Sequence, residues 1–473
     1  MRRNRSGIFG CIDTKGKLDE VAKTVYYGIF SLQHRGQESA GIAINDRGAF
    51  IVHKGNGLVT DVFDDITLSA LEGSAAVGHA RGGSPKESGN DAIQPIHIKS
   101  RVGNIALVVD SVIHNENAIR DELKNVGAIF QTNTDSEIIL SLFSRNRVRT
   151  ETCEEAIAKT CEEIKGVYAM VFMTEDKVIG VRDPFGLRPL VLGKKDDMYI
   201  LSSESCALDA LDAEFIRDVD PGEIVSISKD GISSTYFGGC TGDHKAGKVC
   251  VFEYVYVARP DSNIDNMNVF ESRVRVGRRL AKEQPCDCDI VIGAPDSGNP
   301  AAIGYAEGMG VPYGAGLLKN RYVGRTFIKS TQQQRELAVR MKFSVLKTAV
   351  AGKRVCIVDD SLVRGTTTKH IISFMRENGA KEVHLRLASP PVRFPCCYGV
   401  NASKGEELPA SFMSVDDICK MIGADSLGYI SLESLRASLE GISCDVCSAC
   451  FDGNFIAGKP EEEPETVHEV KYQ

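Results

Sequence analysis

The feature that most constrains the fold is the segment KRVCIVDDSLVRGTTTKHI, residues 353–371. Its apolar, β-branched run over residues 354–358 is typical of a strand buried on both faces. Two adjacent acids, Asp359 and Asp360, follow at the end of that strand, where open α/β sheets bind their ligands. A turn rich in glycine and threonine then opens a helix. The sequence therefore predicts a parallel α/β sheet with a ligand site at this point.

The turn after the acids offers backbone N–H groups and hydroxyls at a helix N-terminus, which suits a phosphate dianion. The residues that form this turn are Arg364, Gly365, Thr366, Thr367 and Thr368. The acids would repel a phosphate, but they can accept hydrogen bonds from the cis-diol of a ribose. An ordinary βα turn with a solvated acid pair would not explain why both groups occur together. The segment resembles the signature of type I phosphoribosyltransferases, which bind phosphoribosyl pyrophosphate (PRPP).

Composition limits the class of protein. A chain of 473 residues, 42% hydrophobic and 25% charged, is long enough for two large globular domains. The net charge of −8 gives no sign of a nucleic-acid surface. No apolar run reaches the roughly 18 residues of a membrane span, and no apolar signal core follows MRRNR. We therefore expect a cytoplasmic protein whose 15 cysteines ligate metal or are buried thiols.

The pattern of elements changes near the middle of the chain. Short β patterns, such as the hairpin at 40–55, mix with helical segments in the first half. Strands then alternate with helices, and we expect one helix to be capped by Asn299 and another to stop at Gly379. We expect four regions: a propeptide-like segment at 1–5, an α+β domain at 6–240, an α/β domain at 248–455 and a disordered tail at 456–473.

Two further stretches belong with the PRPP signature. GAPDSGNP, residues 293–300, is a turn whose backbone N–H groups could hold a pyrophosphate, with Ser297 near a Mg²⁺ ion. Residues 319–342 carry seven basic side chains, among them Lys319 and Arg325. A solvated basic loop is the ordinary interpretation of such a run. Beside a diphosphate site, a lid that neutralises the leaving group and excludes water is the better hypothesis.

Taken together, the chain resembles the amidophosphoribosyltransferase family (glutamine PRPP amidotransferases), and within it the Bacillus-type iron–sulfur branch. The segments that carry the resemblance are SLQHRGQESAGIA (31–43), DPFGLRPL (183–190), FEYVYVARPDSNID (252–265), KNRYVGRTFI (319–328), VDDSLVRGTTT (358–368) and SPPVRFPC (389–396). The resemblance implies an N-terminal-nucleophile (Ntn) hydrolase-like glutaminase domain followed by an α/β type I phosphoribosyltransferase domain. It also implies de novo purine synthesis, in which ammonia attacks C1 of PRPP to give 5-phosphoribosylamine and pyrophosphate.

The resemblance assigns roles to the transferase residues. Asp359 and Asp360 would hold the ribose diol and, with Ser297, place Mg²⁺, while the turn at 364–368 would hold the 5-phosphate. Cys250, Cys396, Cys444 and Cys447 would ligate a [4Fe–4S] cluster, for which a Cys₄ set is suited. A structural zinc or free thiols are alternatives, and Cys397 and Cys450 lie beside the expected ligands, so spacing does not fix the choice.

The glutaminase half departs from the family pattern at its nucleophile. Members remove a propeptide to expose an N-terminal cysteine, whereas this chain has Ser6 behind five residues. A thiol can ionise near neutral pH and an unassisted hydroxyl cannot. The family's oxyanion hole is an Asn-Gly pair, whereas this chain has Asp110 and Ser111. Losing one oxyanion donor costs about 10²–10³ in rate, and a carboxylate there would also repel the developing charge.

Other parts of the glutamine pocket appear in the sequence. The family's Arg-Tyr-(Ser/Ala)-Thr is replaced by residues 81–84, RGGS, but Arg81 remains. Asp135 and Arg35 also remain and could keep some amino-acid recognition. We therefore predict a PRPP amidotransferase with an inactive glutaminase half, supplied with free ammonia or by a partner protein.

Three alternatives stay open at this point. Ser6 could act as an unusual nucleophile in a glutamine-dependent enzyme. The chain could be a non-catalytic regulatory homologue that binds PRPP or purine nucleotides. The acceptor could also be an amine or base other than ammonia, because the PRPP signature is shared across phosphoribosyltransferases. Inhibition by purine nucleotides and a homotetramer or homodimer are expected from the resemblance.

Overall fold

The computed structural model of the chain describes all residues except 1, 4, 19, 83–88, 101–102, 321, 323–339, 402–407 and 461–473. The predictions for Arg325, for most of the basic lid, for positions 83 and 84 and for most of the tail lie outside the described residues. Within the described part, no helix combines the length and the apolar character that crossing a membrane requires.

The first half of the chain is built from strands with α-helices among them. The strands are β1 Arg2–Arg3, β2 Gly7–Asp13, β3 Ser39–Asp46, β4 Ala49–Asn56, β5 Ala75–Arg81, β6 Ile96–Ser100, β7 Gly103–Ile113, β8 Gly166–Met173, β9 Lys177–Arg182, β10 Val191–Lys195, β11 Met198–Ser202, β12 Glu214–Asp218, β13 Glu223–Ser228 and β14 Gly231–Tyr236. The helices are α1 Val21–Ser31, α2 Val59–Val62, α3 Asp65–Ser69, α4 Glu116–Asn125, α5 Asp135–Arg147, α6 Cys153–Glu163 and α7 Cys206–Asp209.

Two antiparallel sheets form the centre of this half. One has the strand order β12-β10-β11-β2-β5-β3-β4 and the other β14-β13-β9-β8-β7-β6. Their facing sides share a core that includes Ile8, Val77, Val108 and Val171. The outer face of the first sheet is covered by α1 and that of the second by α5 and α6. This layering of helix, sheet, sheet and helix is the arrangement expected of an Ntn hydrolase-like domain, and it buries β2 completely.

The second half alternates strands and helices, as the sequence predicts. Its strands are β15 Lys248–Cys250, β16 Asn263–Ile264, β17 Met267–Asn268, β18 Ile290–Gly293, β19 Leu317–Lys319, β20 Phe343–Val345, β21 Arg354–Asp359, β22 Glu382–Leu387, β23 Val400–Asn401, β24 Ser426–Tyr429 and β25 Asp445–Cys447. Its helices are α8 Val269–Glu283, α9 Asn299–Met309, α10 Lys347–Val350, α11 Thr366–Glu377, α12 Val415–Ile422, α13 Leu432–Ser438 and α14 Ala449–Asp452, with a π-helical turn at Glu253–Val257.

A parallel sheet in the order β18-β21-β22-β24 organises the second half. One face packs against α11 and α12, and the other against α8 and α9. The residues of β21 from Val355 to Val358 are buried because both faces are covered, which explains their continuous apolar sequence. The end of β21, with its two acids, therefore opens at the carboxyl edge of a parallel sheet.

The predicted helix boundaries are close to those observed. The helix expected to be capped by Asn299 begins at that residue, so the cap is Gly298 instead. The helix expected to stop at Gly379 ends at Glu377, and Gly379 adopts a φ of +89° just beyond it. Both signals come from backbone geometry that a short sequence encodes locally.

Helices α8 and α9 pack unusually closely. A Cβ atom added at Gly304 of α9 would come 2.0 Å from the carbonyl oxygen of Val274 in α8. A Cβ added at Gly277 of α8 would come 2.0 Å from the carbonyl oxygen of Ala301 in α9. The backbones can touch only because both positions lack a side chain, and this contact fixes the two helices beneath the sheet.

Candidate functional site

The acid pair of the PRPP signature lies at the carboxyl end of β21. Asp360 accepts hydrogen bonds from the hydroxyls of Ser297 and of Ser361, the latter at 2.6 Å. The backbone N–H of Asp360 donates to Asp359 Oδ1 at 2.8 Å. Burial and then the neighbouring Asp360 carboxylate raise the pKa of Asp359 well above its usual value. A bound cation or donor hydroxyls would relieve this repulsion, so the pair suits a metal ion or a diol.

The predicted phosphate cradle lies at the N-terminus of α11. Gly365 caps this helix with a φ of +75°, a conformation that suits glycine. Thr366 and Thr367 are exposed in the first turn, whereas Thr368 is buried. Because the first N–H groups of a helix have no partner within it, a twelve-residue helix at this point offers an anion site. The cradle and the acid pair are thus contiguous.

The second predicted anion loop lies against the first. The turn after β18 packs so tightly on β21 that a Cβ at Gly298 would come 2.7 Å from the carbonyl oxygen of Val358. This packing places the Ser297 hydroxyl within hydrogen-bonding distance of the Asp360 carboxylate. Lys319, at the end of β19, donates to Asp296 Oδ2 at 2.5 Å. A cation from the start of the basic lid is therefore held beside the loop where a pyrophosphate was expected.

These oxygen donors fit the predicted magnesium ion. Mg²⁺ prefers carboxylate and hydroxyl oxygens together with water and substrate phosphates. The carboxylates of Asp359 and Asp360 and the hydroxyl of Ser297 supply such oxygens on the two adjoining loops.

The predicted iron–sulfur ligands are only partly brought together. Cys250, in β15, is the register partner of Cys447 in β25. Burial, and then the proximity of Cys396, Cys250 and Cys447, raises the pKa of the Cys450 thiol well above its usual value. Cys450 therefore lies near Cys250, Cys396 and Cys447, whereas the family resemblance predicts Cys444 as the fourth ligand.

The fourth predicted ligand, Cys444, lies in a different environment from Cys450. Burial, and then the neighbouring Asp265 carboxylate, raises the pKa of the Cys444 thiol to about 12. Cys444 and Cys450 both stand two residues from Cys447, on opposite sides, so spacing alone could not separate them. Within the described residues, no three sulfurs of the set with Cys450 all lie within 4.8 Å of one another. This spread fits a four-iron cluster better than a single zinc ion.

In the first half, the residue at the nucleophile position, Ser6, forms a hydrogen bond through its own backbone N–H. Ser6 is buried immediately before β2, and its N–H donates to Asp110 Oδ1 at 3.2 Å. Because residues precede Ser6, this nitrogen is a peptide amide and cannot act as the base of an N-terminal nucleophile. The other Asp110 oxygen lies 3.6 Å from Nε of Arg188. The carboxylate in the oxyanion position is thus fixed by internal partners.

The segment before Ser6 is built into the fold. Arg2–Arg3 pairs as a short antiparallel strand with Val400–Asn401 of the second half. Arg5 is 1% exposed and forms an ion pair with Glu253 in the π-helical turn. The region predicted to resemble a propeptide therefore connects the two halves of the chain.

A buried ion-pair network surrounds this connection. All three guanidinium nitrogens of Arg35 donate to glutamates: Nε to Glu204 at 2.6 Å, and the other two to Glu253 at 3.3 and 2.8 Å. Burial opposes ionisation, but His34 and Arg35 hold the pKa of Glu204 well below its usual value. Arg35 therefore belongs to this network between the halves, whereas the family resemblance predicts it in an amino-acid pocket.

The remaining pocket residues are also engaged. Asp135 Oδ2 accepts hydrogen bonds from the Ser111 hydroxyl at 3.0 Å and from the N–H of Ile113 at 3.1 Å. Burial, and then nearby Glu116, raises the pKa of Asp135 to about 7. Arg81 is buried at the end of β5 and donates to the carbonyl of Ala92 at 3.2 Å. Ser111, which stands where the family has glycine, thus forms a hydrogen bond with Asp135, the acid expected to bind an α-amino group.

The two glutamates of this network, Glu253 and Glu204, were not predicted from the sequence. Glu253 belongs to the segment FEYVYVARPDSNID, which was noted as a family feature without a role. Its neighbour in the network, Glu204, carried no sequence signal because its partners lie far along the chain.

Comparison with known proteins agrees with this architecture. Residues 86–210 match a glutamine amidotransferase domain, and residues 272–388 match a phosphoribosyl transferase domain. The chain is 45% identical to an amidophosphoribosyltransferase of Methanocaldococcus jannaschii, covering 95% of this chain and 97% of that one. It is 44% identical to the Bacillus subtilis enzyme, covering 92% of each. The solved glutamine PRPP amidotransferase of B. subtilis, complexed with ADP and GMP, superimposes with a TM-score of 0.87 at 42% identity, covering 95% of this chain and 97% of that one.

The fold and the two sites define a glutamine amidotransferase domain joined to a phosphoribosyltransferase domain. With these relatives over nearly its whole length, the chain belongs to the amidophosphoribosyltransferase family.

Proposed function

We propose that this chain forms 5-phosphoribosylamine and pyrophosphate from PRPP and ammonia in purine biosynthesis, and that its glutaminase half does not hydrolyse glutamine. The transferase part rests on family membership and on the contiguous acid pair and helix N-terminus at the edge of the parallel sheet. The glutaminase part rests on one observation, the peptide N–H of Ser6 donating to Asp110 while Arg5 is anchored on Glu253.

In the transferase half, Asp359 and Asp360 accept hydrogen bonds from the ribose diol, and α11 binds the 5-phosphate through its first N–H groups. The turn at 294–298 holds the pyrophosphate, with Lys319 beside it. These residues orient C1 towards the ammonia and keep the leaving group in line, so catalysis is mainly positioning and electrostatics. Arg325, outside the described residues, would act from the lid.

Two cofactors belong to this proposal. Mg²⁺ would be held by Asp359, Asp360 and Ser297, and when bound it neutralises charge on the leaving pyrophosphate. A [4Fe–4S] cluster would be held by Cys250, Cys396, Cys447 and Cys450, with Cys450 replacing the expected Cys444. Since two of these cysteines lie on the paired strands β15 and β25, the cluster would bind the C-terminal segment to the core.

The glutaminase half lacks three elements of its chemistry. Ser6 has no free amine as base while residues 2–5 remain. Asp110 puts a carboxylate where a neutral donor is needed, and Arg188 offsets that charge without restoring the donor. Ser111 occupies Asp135 through a hydrogen bond that glycine could not make. Ammonia would therefore come from solution or from a partner protein.

The proposal extends to regulation, assembly and location. Because the B. subtilis relative was solved with ADP and GMP, we infer that purine nucleotides inhibit this chain too. We also infer a cytoplasmic homotetramer or homodimer, which light scattering of the purified protein would test. The domains proposed are 6–240 and 248–455, joined by residues 241–247.

The test measures Mg²⁺-dependent pyrophosphate release from PRPP, with ammonium chloride or with glutamine as nitrogen donor. Release with ammonium only supports both parts of the proposal. Release with glutamine would refute the inactive glutaminase and favour Ser6 as nucleophile. Release with neither donor would refute the transferase activity and favour a regulatory homologue or another acceptor. Intact-mass measurement of the same sample shows whether residues 2–5 are retained.

A further inference from the structure

A second cysteine group lies in the transferase half, apart from the proposed cluster ligands. The sulfurs of Cys286, Cys288 and Cys356 all lie within 4.8 Å of one another, the one such set of ligand atoms within the described residues. All three are free thiols. Cys356 lies in the middle of β21, while Cys286 and Cys288 lie in the segment leading into β18. A fold that brings together three thiols, one from β21 and two from the segment before its neighbour β18, offers a preformed set of soft ligands.

The spacing suits one metal ion. Thiolates bind zinc at about 2.3 Å, which separates their sulfurs by roughly 3.8–4.0 Å in tetrahedral or trigonal geometry. Because the three sulfurs lie within 4.8 Å of one another, only a small closing movement would bring them to this separation. Soft thiolate ligands select zinc and copper(I) rather than magnesium or calcium. Cys286 is partly exposed and Cys288 and Cys356 are buried, so an ion could enter from the Cys286 side.

The segment that carries Cys286 and Cys288 is held in place by a second layer of contacts. Arg386 Nε donates to the carbonyl of Gln284 at 2.7 Å, and another of its nitrogens donates to the carbonyl of Pro285 at 3.1 Å. The Tyr305 hydroxyl also donates to the carbonyl of Gln284, at 2.7 Å, and lies 3.6 Å from the Cys286 sulfur. The segment that supplies two of the three thiols is therefore fixed by hydrogen bonds from β22 and from α9.

We propose that Cys286, Cys288 and Cys356 form a site for a single thiophilic metal ion of the zinc class, distinct from the iron–sulfur centre. Binding would release a proton from each thiol that is still protonated and leave a fourth position open beside Cys286. The site would join the segment before β18 to β21, the strand that carries the PRPP acids, and so would stabilise the pairing of these two strands.

The test uses the full-length protein with its cluster, purified without oxygen, exposed to Zn²⁺ and dialysed before metal analysis. We expect the wild type and the control Cys419→Ser, a half-buried thiol elsewhere in the same half, to retain one more zinc per chain than Cys286→Ser and Cys288→Ser. Zinc affinity should fall by about tenfold or more in both variants. Cd²⁺ should give a thiolate charge-transfer band in the wild type that Cys286→Ser loses.

Because the comparison counts the zinc lost on substitution, zinc bound at the iron–sulfur ligands does not affect it. Unchanged circular dichroism of metal-free Cys286→Ser shows that the variant folds. Equal zinc content in the wild type and both variants would overturn the proposal. A disulfide within the group in the anaerobic, metal-free protein, seen as a mass lower by two hydrogens, would also overturn it.

Discussion

The Glu253→Gln substitution tests whether the buried network holds the two halves of the chain together. Glu253 is fully buried and interacts with both Arg5 and Arg35. Glutamine keeps the shape of the side chain but removes its charge. Arg35 would retain Glu204 at 2.6 Å, whereas Arg5 would lose the only carboxylate with which it forms an ion pair among the described residues.

The expected cost follows from leaving a buried charge without a partner. Breaking a buried pair by removing one member costs about 3–5 kcal/mol. For domains of this size, each kcal/mol lowers the Tm by roughly 2–4 °C, so the first transition should fall by about 6–20 °C. The matched control is Glu271→Gln, which breaks the partly exposed pair of Glu271 with Arg275 on α8. That pair is worth about 0.3–0.5 kcal/mol, or a shift of roughly 1–2 °C.

Scanning calorimetry of the wild type and both variants under identical conditions measures the difference. A Glu253→Gln transition within about 2 °C of that of the control would refute the reasoning. It would mean that the network contributes no more than a surface ion pair. Arg5→Ala supplies an independent check, because it removes the other member of the same pair and should lower the same transition.

Four other perturbations give distinct expected results. Asp360→Asn should lower pyrophosphate release by about a hundredfold or more at unchanged circular dichroism, and an unaffected rate would contradict its role. Asp135→Asn should remove a pH dependence of stability. Burial, and then nearby Glu116, raises the pKa of Asp135 to about 7 in the folded chain, whereas an aspartate in the unfolded chain has a pKa of about 4. Wild-type stability should therefore fall as the pH rises from about 4 to about 7, and the stability of the variant should not. Cys450→Ala should lose bound iron and visible absorbance, whereas Cys444→Ala should retain both, and the reverse result would restore the sequence-based choice. Gly304→Ala should destabilise the protein by about 1–3 kcal/mol or more in urea unfolding, because its Cβ would meet a carbonyl oxygen at 2.0 Å, and a neutral effect would mean that α8 and α9 can separate freely.

The transferase site could be predicted from the sequence because its parts are local. The buried strand, the acids Asp359 and Asp360 and the helix beginning at Thr366 follow one another within 20 residues, and backbone geometry links them directly. The anion loop at 293–300 precedes a helix whose start was predicted to within one residue. Parallel strands place such loops at one edge of a sheet, so their meeting also follows from the fold class.

The proposed iron–sulfur ligands and Arg35 show where local patterns stop being sufficient. Cys444 and Cys450 have the same spacing from Cys447, so the spacing alone does not tell which of the two thiols lies near Cys250. Arg35 was assigned to a ligand pocket by its family segment, but its partners are glutamates about 170 and 220 positions away. Contacts across such distances depend on the packing of whole domains, which no short pattern encodes.

The short strand Arg2–Arg3 and the ion pair of Arg5 also affect the order in which the protein forms during synthesis. Their partners, Val400–Asn401 and Glu253, both emerge from the ribosome after β12, the last strand of the first sheet. Since domains generally fold in sequence as they are made, the first half must fold while its own beginning is still undocked. The earliest residues to be translated would then be among the last to reach their final positions.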